Sequence, residues 1–205
     1  VRVVIATHNK DKFYELEELL KLDGVEYIPA GVLGVGEIEE TGSTFEENAI
    51  LKAKHVARET GYLSIGDDSG MMLPALDGYP GLISARCAGE DATDEDLRQH
   101  ILEKMDGVSD RRVSFICALA LSRPDDIEYP IVLIGECHGE LLEAARGNAD
   151  EGLQYDSLFY DPSIGKTFAE ISKEEKHQRS HRGYAARAMK NYLRAVLRLE
   201  GDIYE

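Results

Sequence analysis

Arg2-Val3-Val4-Ile5-Ala6 runs straight into Thr7-His8-Asn9-Lys10-Asp11-Lys12-Phe13, and the change of pattern between the two decides the fold class. The first piece is apolar and β-branched, which reads as a buried strand. The second opens a segment over residues 10–22. There Phe13, Leu16, Leu19 and Leu20 recur at helical spacing, with Glu15, Glu17 and Glu18 on other faces. Moving outward, residues 25–29 read as a short strand. Ser43-Thr44-Phe45-Glu46-Glu47 holds overlapping capping boxes and predicts a helix to about residue 60. Residues 62–66 read as a strand that runs into Asp67-Asp68-Ser69-Gly70. A turn-rich stretch, Leu76-Asp77-Gly78-Tyr79-Pro80-Gly81, follows. Thr93-Asp94-Glu95-Asp96 opens another helix, ending about Met105. Residues 112–122 form a long strand candidate and residues 130–144 one or two more, with a turn at Arg123-Pro124-Asp125-Asp126. The stretch 147–166, rich in Gly, Asp and Pro, reads as a loop that carries function. Ser172 with Glu175 marks a helix start. A last helix over 183–199 places Ala185, Ala188, Met189, Tyr192, Leu193 and Val196 on one stripe. Strands and helices mix without strict βαβ alternation. The expectation is an α/β fold with a mixed central β-sheet flanked by helices, in a single domain over 1–205.

Composition narrows the function classes. The chain has 205 residues with 43% apolar content, enough for a real core. No apolar run approaches the ~20 residues that span a bilayer, and Val1–Ala6 is too short and too soon interrupted to read as a signal peptide. Cys87, Cys117 and Cys137 lie far apart with no CxxC pair, which argues against a disulfide framework or a structural zinc and for a reducing cytoplasm. The formal net charge of −16 repels nucleic acid and anionic membrane. A polyanionic substrate would therefore need a local cluster of cations and bound metal working against the global field.

Three constellations bear on chemistry. Thr7-x-Asn9-x-x-Lys12 lies where a strand end feeds a helix N-terminus, a natural phosphate seat with free N–H groups and a positive dipole end. A helix cap with a solvated lysine explains the same residues. Asp67-Asp68-Ser69-Gly70 follows a strand, and adjacent carboxylates on an extended backbone point to opposite sides. One can face a metal while the other holds the chain. Hard oxygens suit Mg²⁺, and Glu39 and Glu40 lie upstream as further donors. An ordinary turn is the plain alternative. Lys176-x-x-x-Ser180-His181-Arg182 gathers three potential cations and a hydroxyl. Arginine has donors only, so it can read a keto oxygen as well as a phosphate. In isolation a solvated basic patch is the simpler reading. Arg86 and Arg146 read as structural ion-pair partners. There is no Walker A pattern and no GxGxxG.

Taken together and in order, these stretches resemble the inosine and xanthosine triphosphate pyrophosphatases. The resemblance runs through residues 7–12, Glu39-Glu40-Thr41-Gly42, Asn48-Ala49-Ile50-Leu51-Lys52-Ala53 and Asp67-Asp68-Ser69-Gly70. It continues in Gly78-Tyr79-Pro80-Gly81, Ser84-Ala85-Arg86, Tyr155-Asp156, residues 166–170, Glu175-Lys176 and Ser180-His181-Arg182. It implies two lobes with an intervening active-site cleft, a homodimer, and Mg²⁺ (Mn²⁺ as a substitute) as cofactor. It implies Glu39 and Asp68 at the metal and Asp68 as proton acceptor. Thr7, Asn9, Lys12 and Lys52 match residues near the triphosphate, and Ser69 another substrate contact. Tyr155, Asp156, Lys176, His181 and Arg182 match nucleoside-side contacts, with Leu153 and Gln154 beside them.

Two departures stand out. The family commonly has Gly-Phe-Gly-Tyr-Asp where this chain has Gly152-Leu153-Gln154-Tyr155-Asp156, and Lys-Asn where it has Lys176-His177. The first removes an aromatic from the base side and leaves the phosphate chemistry untouched. The implied activity is hydrolysis of non-standard purine triphosphates to monophosphate and pyrophosphate, with Arg182 favouring a 6-keto base. The rivals are a nucleotide-binding regulatory module without turnover, and a related pyrophosphatase for pyrimidine or modified triphosphates.

Overall fold

In the computed structural model the strand–helix opening forms as the pattern dictates. Residues 1–148 and 153–197 are described; Gly152 and the expected helix positions 198 and 199 lie outside them. Strand β1 spans Arg2–Ala6, and its Val3, Val4 and Ile5 are fully buried, as a strand covered on both faces requires. Helix α1, Lys10–Leu20, starts where the Asn9 side chain accepts the Lys12 backbone N–H. Strand β2, Glu26–Pro29, lies parallel to β1. Helix α2, Phe45–Thr60, begins at Thr44, whose hydroxyl accepts the Glu47 N–H, and ends at Gly61 in the left-handed conformation. Strand β3, Leu63–Met72, pairs with the other side of β1, again in parallel. Parallel neighbours need crossovers, and α1 and α2 supply them.

Helix α3, Asp94–Lys104, starts at the expected place, with a capping box between Thr93 and Asp96. Strands β4, Arg112–Arg123, and β5, Asp126–Leu141, are joined through Pro124-Asp125. Strands β6, Phe159–Asp161, and β7, Lys166–Thr167, add antiparallel pairs. Helices α4, Lys173–Arg179, and α5, His181–Leu197, close the described chain. Among the described residues the sheet order is β2-β1-β3-β4-β5-β6-β7. Parallel pairs at one end and antiparallel pairs at the other make it the expected mixed α/β sheet. Two expectations shift in detail. Asp67-Asp68-Ser69-Gly70 lies within β3 rather than after it, and the stretch 147–166, expected as a loop, contains β6. The one or two strands expected over 130–144 are one long strand, β5.

The chain divides into two compact units. The first comprises Val1–Asp68, Cys117–Gly135 and the segment from Arg182; the second comprises Ser69–Ile116 and Glu136–His181. The first has a core of Val3, Ile5, Leu16, Leu20, Ile65, Leu119 and Met189 among others, and a smaller cluster around Val4, Val35 and Val56. The second is built on Met71, Leu97, Ile101, Phe115, Leu158 and Phe159. No helix among the described residues is long and apolar enough to cross a membrane.

Candidate active site

Close packing of α2 on β3 builds the charged cluster of the first unit. A Cβ on Gly66 would overlap the Ala49 carbonyl oxygen and sit 2.8 Å from the Ala53 nitrogen, so only glycine allows this approach. Ala49 and Ala53 are fully buried on the facing side of the helix. Their neighbours Asn48 and Lys52 are thereby delivered to Asp68. The Asn48 amide donates to Asp68 Oδ2 at 3.1 Å, and its own oxygen accepts the Gly42 N–H at 2.8 Å. Lys52 Nζ lies 3.1 Å from Asp68 Oδ1 and 2.8 Å from Glu40 Oε1, so two carboxylates converge on one ammonium. Burial pushes the Asp68 carboxyl above its ordinary value; Lys52 opposes this, while Glu40 and Asp67 add to it.

Asp67 points to the other side of β3, as strand alternation requires. Its Oδ2 forms an ion pair with Lys12 Nζ at 3.1 Å, and Arg182 Nε stands 3.9 Å from Oδ1. The Cys117 thiol donates to Oδ1 at 3.2 Å. Burial alone would raise this carboxyl, but Lys12, Arg182 and Lys52 outweigh it and hold Asp67 well below the usual carboxylate range. The same burial, with Asp67 beside it, pushes the Cys117 thiol well up, so it stays a neutral donor. Arg182 also donates from Nη1 to Glu15 Oε2 at 2.7 Å, a pair that is buried on both sides.

This corrects one expectation: Glu15 is buried at the margin of the apolar face of α1 rather than turned away from it. Arg182, expected to read a base, is 2% exposed, donates to Glu15 and has its Nε 3.9 Å from Asp67. Removing one partner of such a buried pair typically costs ~3–5 kcal/mol, because the other charge is stranded.

The phosphate-seat residues combine both readings given to them. Thr7 Oγ1 accepts the Asn9 N–H at 3.2 Å, and Asn9 Oδ1 is occupied by the helix cap. Asn9 can therefore meet an anion only through its Nδ2, beside the unpaired N–H groups of the first turn of α1. In the acidic loop the structure favours the second glutamate. Glu40 reaches Lys52, whereas Glu39 is exposed. Among the described residues there is no cluster of three or more His, Cys, Asp and Glu fit for a metal. Mg²⁺ in nucleotide sites usually takes one or two carboxylates, with substrate phosphates and water completing the shell. Asp68 with an acid of this loop meets that requirement with hard oxygen donors. The charge balance points the same way. Lys12, Lys52 and Arg182 face Glu15, Glu40, Asp67 and Asp68. Three cations against four carboxylates leave a net negative cluster, a field that would favour a bound cation.

The remaining predicted residues gather in the second unit. Ser69 follows Asp68 on β3 and is half-buried. Lys176 Nζ donates to Asp156 Oδ2 at 2.5 Å, with both side chains buried. The same Asp156 oxygen accepts the Leu153 N–H at 2.8 Å. Tyr155 is 4% exposed, and its hydroxyl donates to the Ser84 carbonyl at 2.6 Å. The His181 ring packs edge-on against Phe115 with centroids 5.1 Å apart. Leu153 and Gln154 are half-buried. Arg86 and Arg146 have the structural partners expected of them, Glu90 and Glu170.

A family model described as the Ham1 family matches residues 3–192. The chain belongs to the Ham1 family. Among the relatives of this Ham1-family chain is a dITP/XTP pyrophosphatase of Coxiella burnetii, 40% identical over 94% of this chain and 96% of that protein. Another is a dITP/XTP pyrophosphatase of Yersinia pestis, 44% identical over 94% of this chain and 98% of that protein. A solved structure of a HAM1 protein from Coxiella burnetii superposes with a TM-score of 0.87 at 40% identity, covering 95% of this chain and 99% of that one. The Ham1 match spans every candidate residue from Thr7 to Arg182. Sequence reasoning missed the roles of Glu15 and Asn48. A signal for Glu15 existed, since it stands one helical turn before Leu19 and so edges the buried face.

Proposed function

We propose that this chain hydrolyses non-standard purine nucleoside triphosphates, of the inosine, deoxyinosine and xanthosine kind, to the monophosphate and pyrophosphate. The observation that carries this reading is Asp68. It is a buried carboxylate of raised pKa fixed between Lys52 and Asn48, in a chain whose relatives are named for this reaction. Pyrophosphate release from inosine triphosphate, compared with adenosine triphosphate, tests it.

Asp68 accepts a proton from the water that attacks the α-phosphorus, and its raised pKa suits it to that task better than an ordinary carboxylate. Lys12 and Lys52 exchange their carboxylate partners for the substrate's phosphate oxygens, supported by the first turn of α1. Asp68, with the Glu39-Glu40 loop, would hold Mg²⁺ or Mn²⁺, and the ion when bound adds positive charge at the phosphoryl oxygens and the leaving pyrophosphate. Asp67 holds Lys12 until that exchange and stands beside Arg182. Asp156 and Lys176, with Tyr155 and His181, frame the nucleoside side, where Leu153 and Gln154 offer the variable surface. Arg182, whose guanidinium has donors only, favours a keto oxygen on the base.

Leucine at 153 gives apolar contact without a π-face. Leu153→Phe is therefore expected to lower KM for inosine triphosphate by roughly tenfold, the equivalent of ~1.4 kcal/mol. kcat should change little, since stacking is felt equally in ground and transition states. Steady-state kinetics check this, and an unchanged or raised KM would remove residue 153 from the base.

The protein works in the reducing cytoplasm, a reading supported by three unpaired cysteines, and as a homodimer. Tyr129 and Ile134 of β5, 77% and 51% exposed, are apolar surface of the kind a second copy covers. Light scattering should return twice the chain mass of 22.8 kDa; the single-chain mass would contradict the dimer.

A further inference from the structure

We propose that Arg98 of α3 is a positioning residue for base recognition, acting through the backbone of Gln154. The proposal rests on the reading that Leu153 and Gln154 face the base. Arg98 is only 6% exposed, a rare state for an arginine unless its donors are engaged. Nε and Nη2 both reach Glu95 Oε2, at 3.2 and 2.8 Å, one turn back on the same helix. Glu95 itself is 75% exposed along its side chain. That local pair orients the guanidinium plane and leaves Nη1 pointing at the turn of residues 153–156. There it donates to the Gln154 carbonyl at 2.9 Å.

The other members of this turn are anchored separately. The Asp156 carboxylate holds the Leu153 N–H and Lys176, the Asp156 N–H donates to the Leu153 carbonyl at 2.8 Å, and the Tyr155 hydroxyl holds Ser84. Arg98 supplies the anchor at residue 154. A charged donor on the Gln154 carbonyl fixes the peptide plane that follows, and with it the direction of the Gln154 side chain. Glycine is common at this point in the resembling family, and a glutamine carries a side chain whose direction matters. Arg98 thus converts a variable turn into a preorganised surface, which acts on binding and not on the chemical step.

The test compares Arg98→Met, which keeps the stem and removes the donors, with Arg98→Lys, which restores one. Arg98→Met should raise KM for inosine triphosphate about tenfold and leave kcat within about twofold. It should also change the ratio of inosine to xanthosine triphosphate use. Arg98→Lys should recover part of the KM. Inhibition by inorganic tripolyphosphate, which has no base, should be unchanged in both. If KM and the tripolyphosphate inhibition constant rise together, or if only the melting temperature falls, Arg98 serves the fold and the proposal is overturned. Should Arg98→Met fail to fold, a wild-type KM in Arg98→Lys, whose shorter reach cannot reproduce the three contacts, overturns it equally. Leu153→Phe separates the two readings. If that variant lowers KM while the Arg98 variants do not alter it, only the Arg98 inference fails. If no variant alters KM, the placement of this turn over the base fails with it.

Discussion

Asp68→Asn should lower kcat for inosine triphosphate by ~10²–10⁴-fold with the fold intact, the usual cost of losing a general base. The geometry supports an intact fold. An asparagine keeps an oxygen to accept from Lys52 or Asn48, which hold the carboxylate at 3.1 Å each. What disappears is the basic oxygen and the negative charge. Because burial raises the Asp68 pKa, the base form is lost earlier on acidification than for an ordinary aspartate. The rate should therefore fall as pH falls through that raised value and favour the alkaline side, where the attacking water also loses its proton more readily. Rate and pH profiles on purified variant and wild type check both statements. A variant that keeps more than about a tenth of wild-type kcat removes Asp68 from the proton transfer.

Excess chelator should abolish turnover, and Mg²⁺ or Mn²⁺ should restore it. The two lysines proposed for the phosphates are already matched to carboxylates: Lys12 to Asp67, and Lys52 to Asp68 and Glu40. The chain as a whole carries a net charge of −16. On the proposed mechanism the added positive charge comes with the metal-bound substrate. Activity measured across a metal titration after chelation checks it, and full activity in excess chelator contradicts it. Glu39→Gln and Glu40→Gln, titrated alongside, identify which glutamate assists: the larger rise in the metal concentration for half activity marks the ligand.

How far the sequence reading reached depends on whether a signal was local. The caps at Asn9, Thr44, Thr93 and Ser172 are short-range hydrogen-bond patterns, and each helix starts where its cap predicts. The strand-to-helix opening and the mixed sheet were legible for the same reason. The opposite directions of Asp67 and Asp68 followed from backbone alternation alone, even though their place inside β3 did not. Pairings distant in sequence left no such trace. Arg182 meets Glu15 across 167 positions, and Cys117 meets Asp67 across 50. Nothing local tells a glutamate that it will be buried, or which of Glu39 and Glu40 will turn toward Lys52. Likewise Tyr155, Asp156 and Lys176 were assigned to substrate by resemblance, while the fold uses their polar atoms on Ser84, Leu153 and each other. Gly66 was invisible as a functional residue because its role is the absence of a side chain where α2 meets β3.

The central claim is that water attacks the α-phosphorus of a non-standard purine triphosphate and pyrophosphate leaves. Turnover of inosine triphosphate in heavy-oxygen water, with the products separated and weighed by mass spectrometry, tests it most directly. The account predicts inosine monophosphate carrying the heavy atom and pyrophosphate carrying none, with adenosine triphosphate cleaved far more slowly under the same conditions. Heavy oxygen in released orthophosphate with inosine diphosphate as co-product, or equal turnover of adenosine triphosphate, would contradict it.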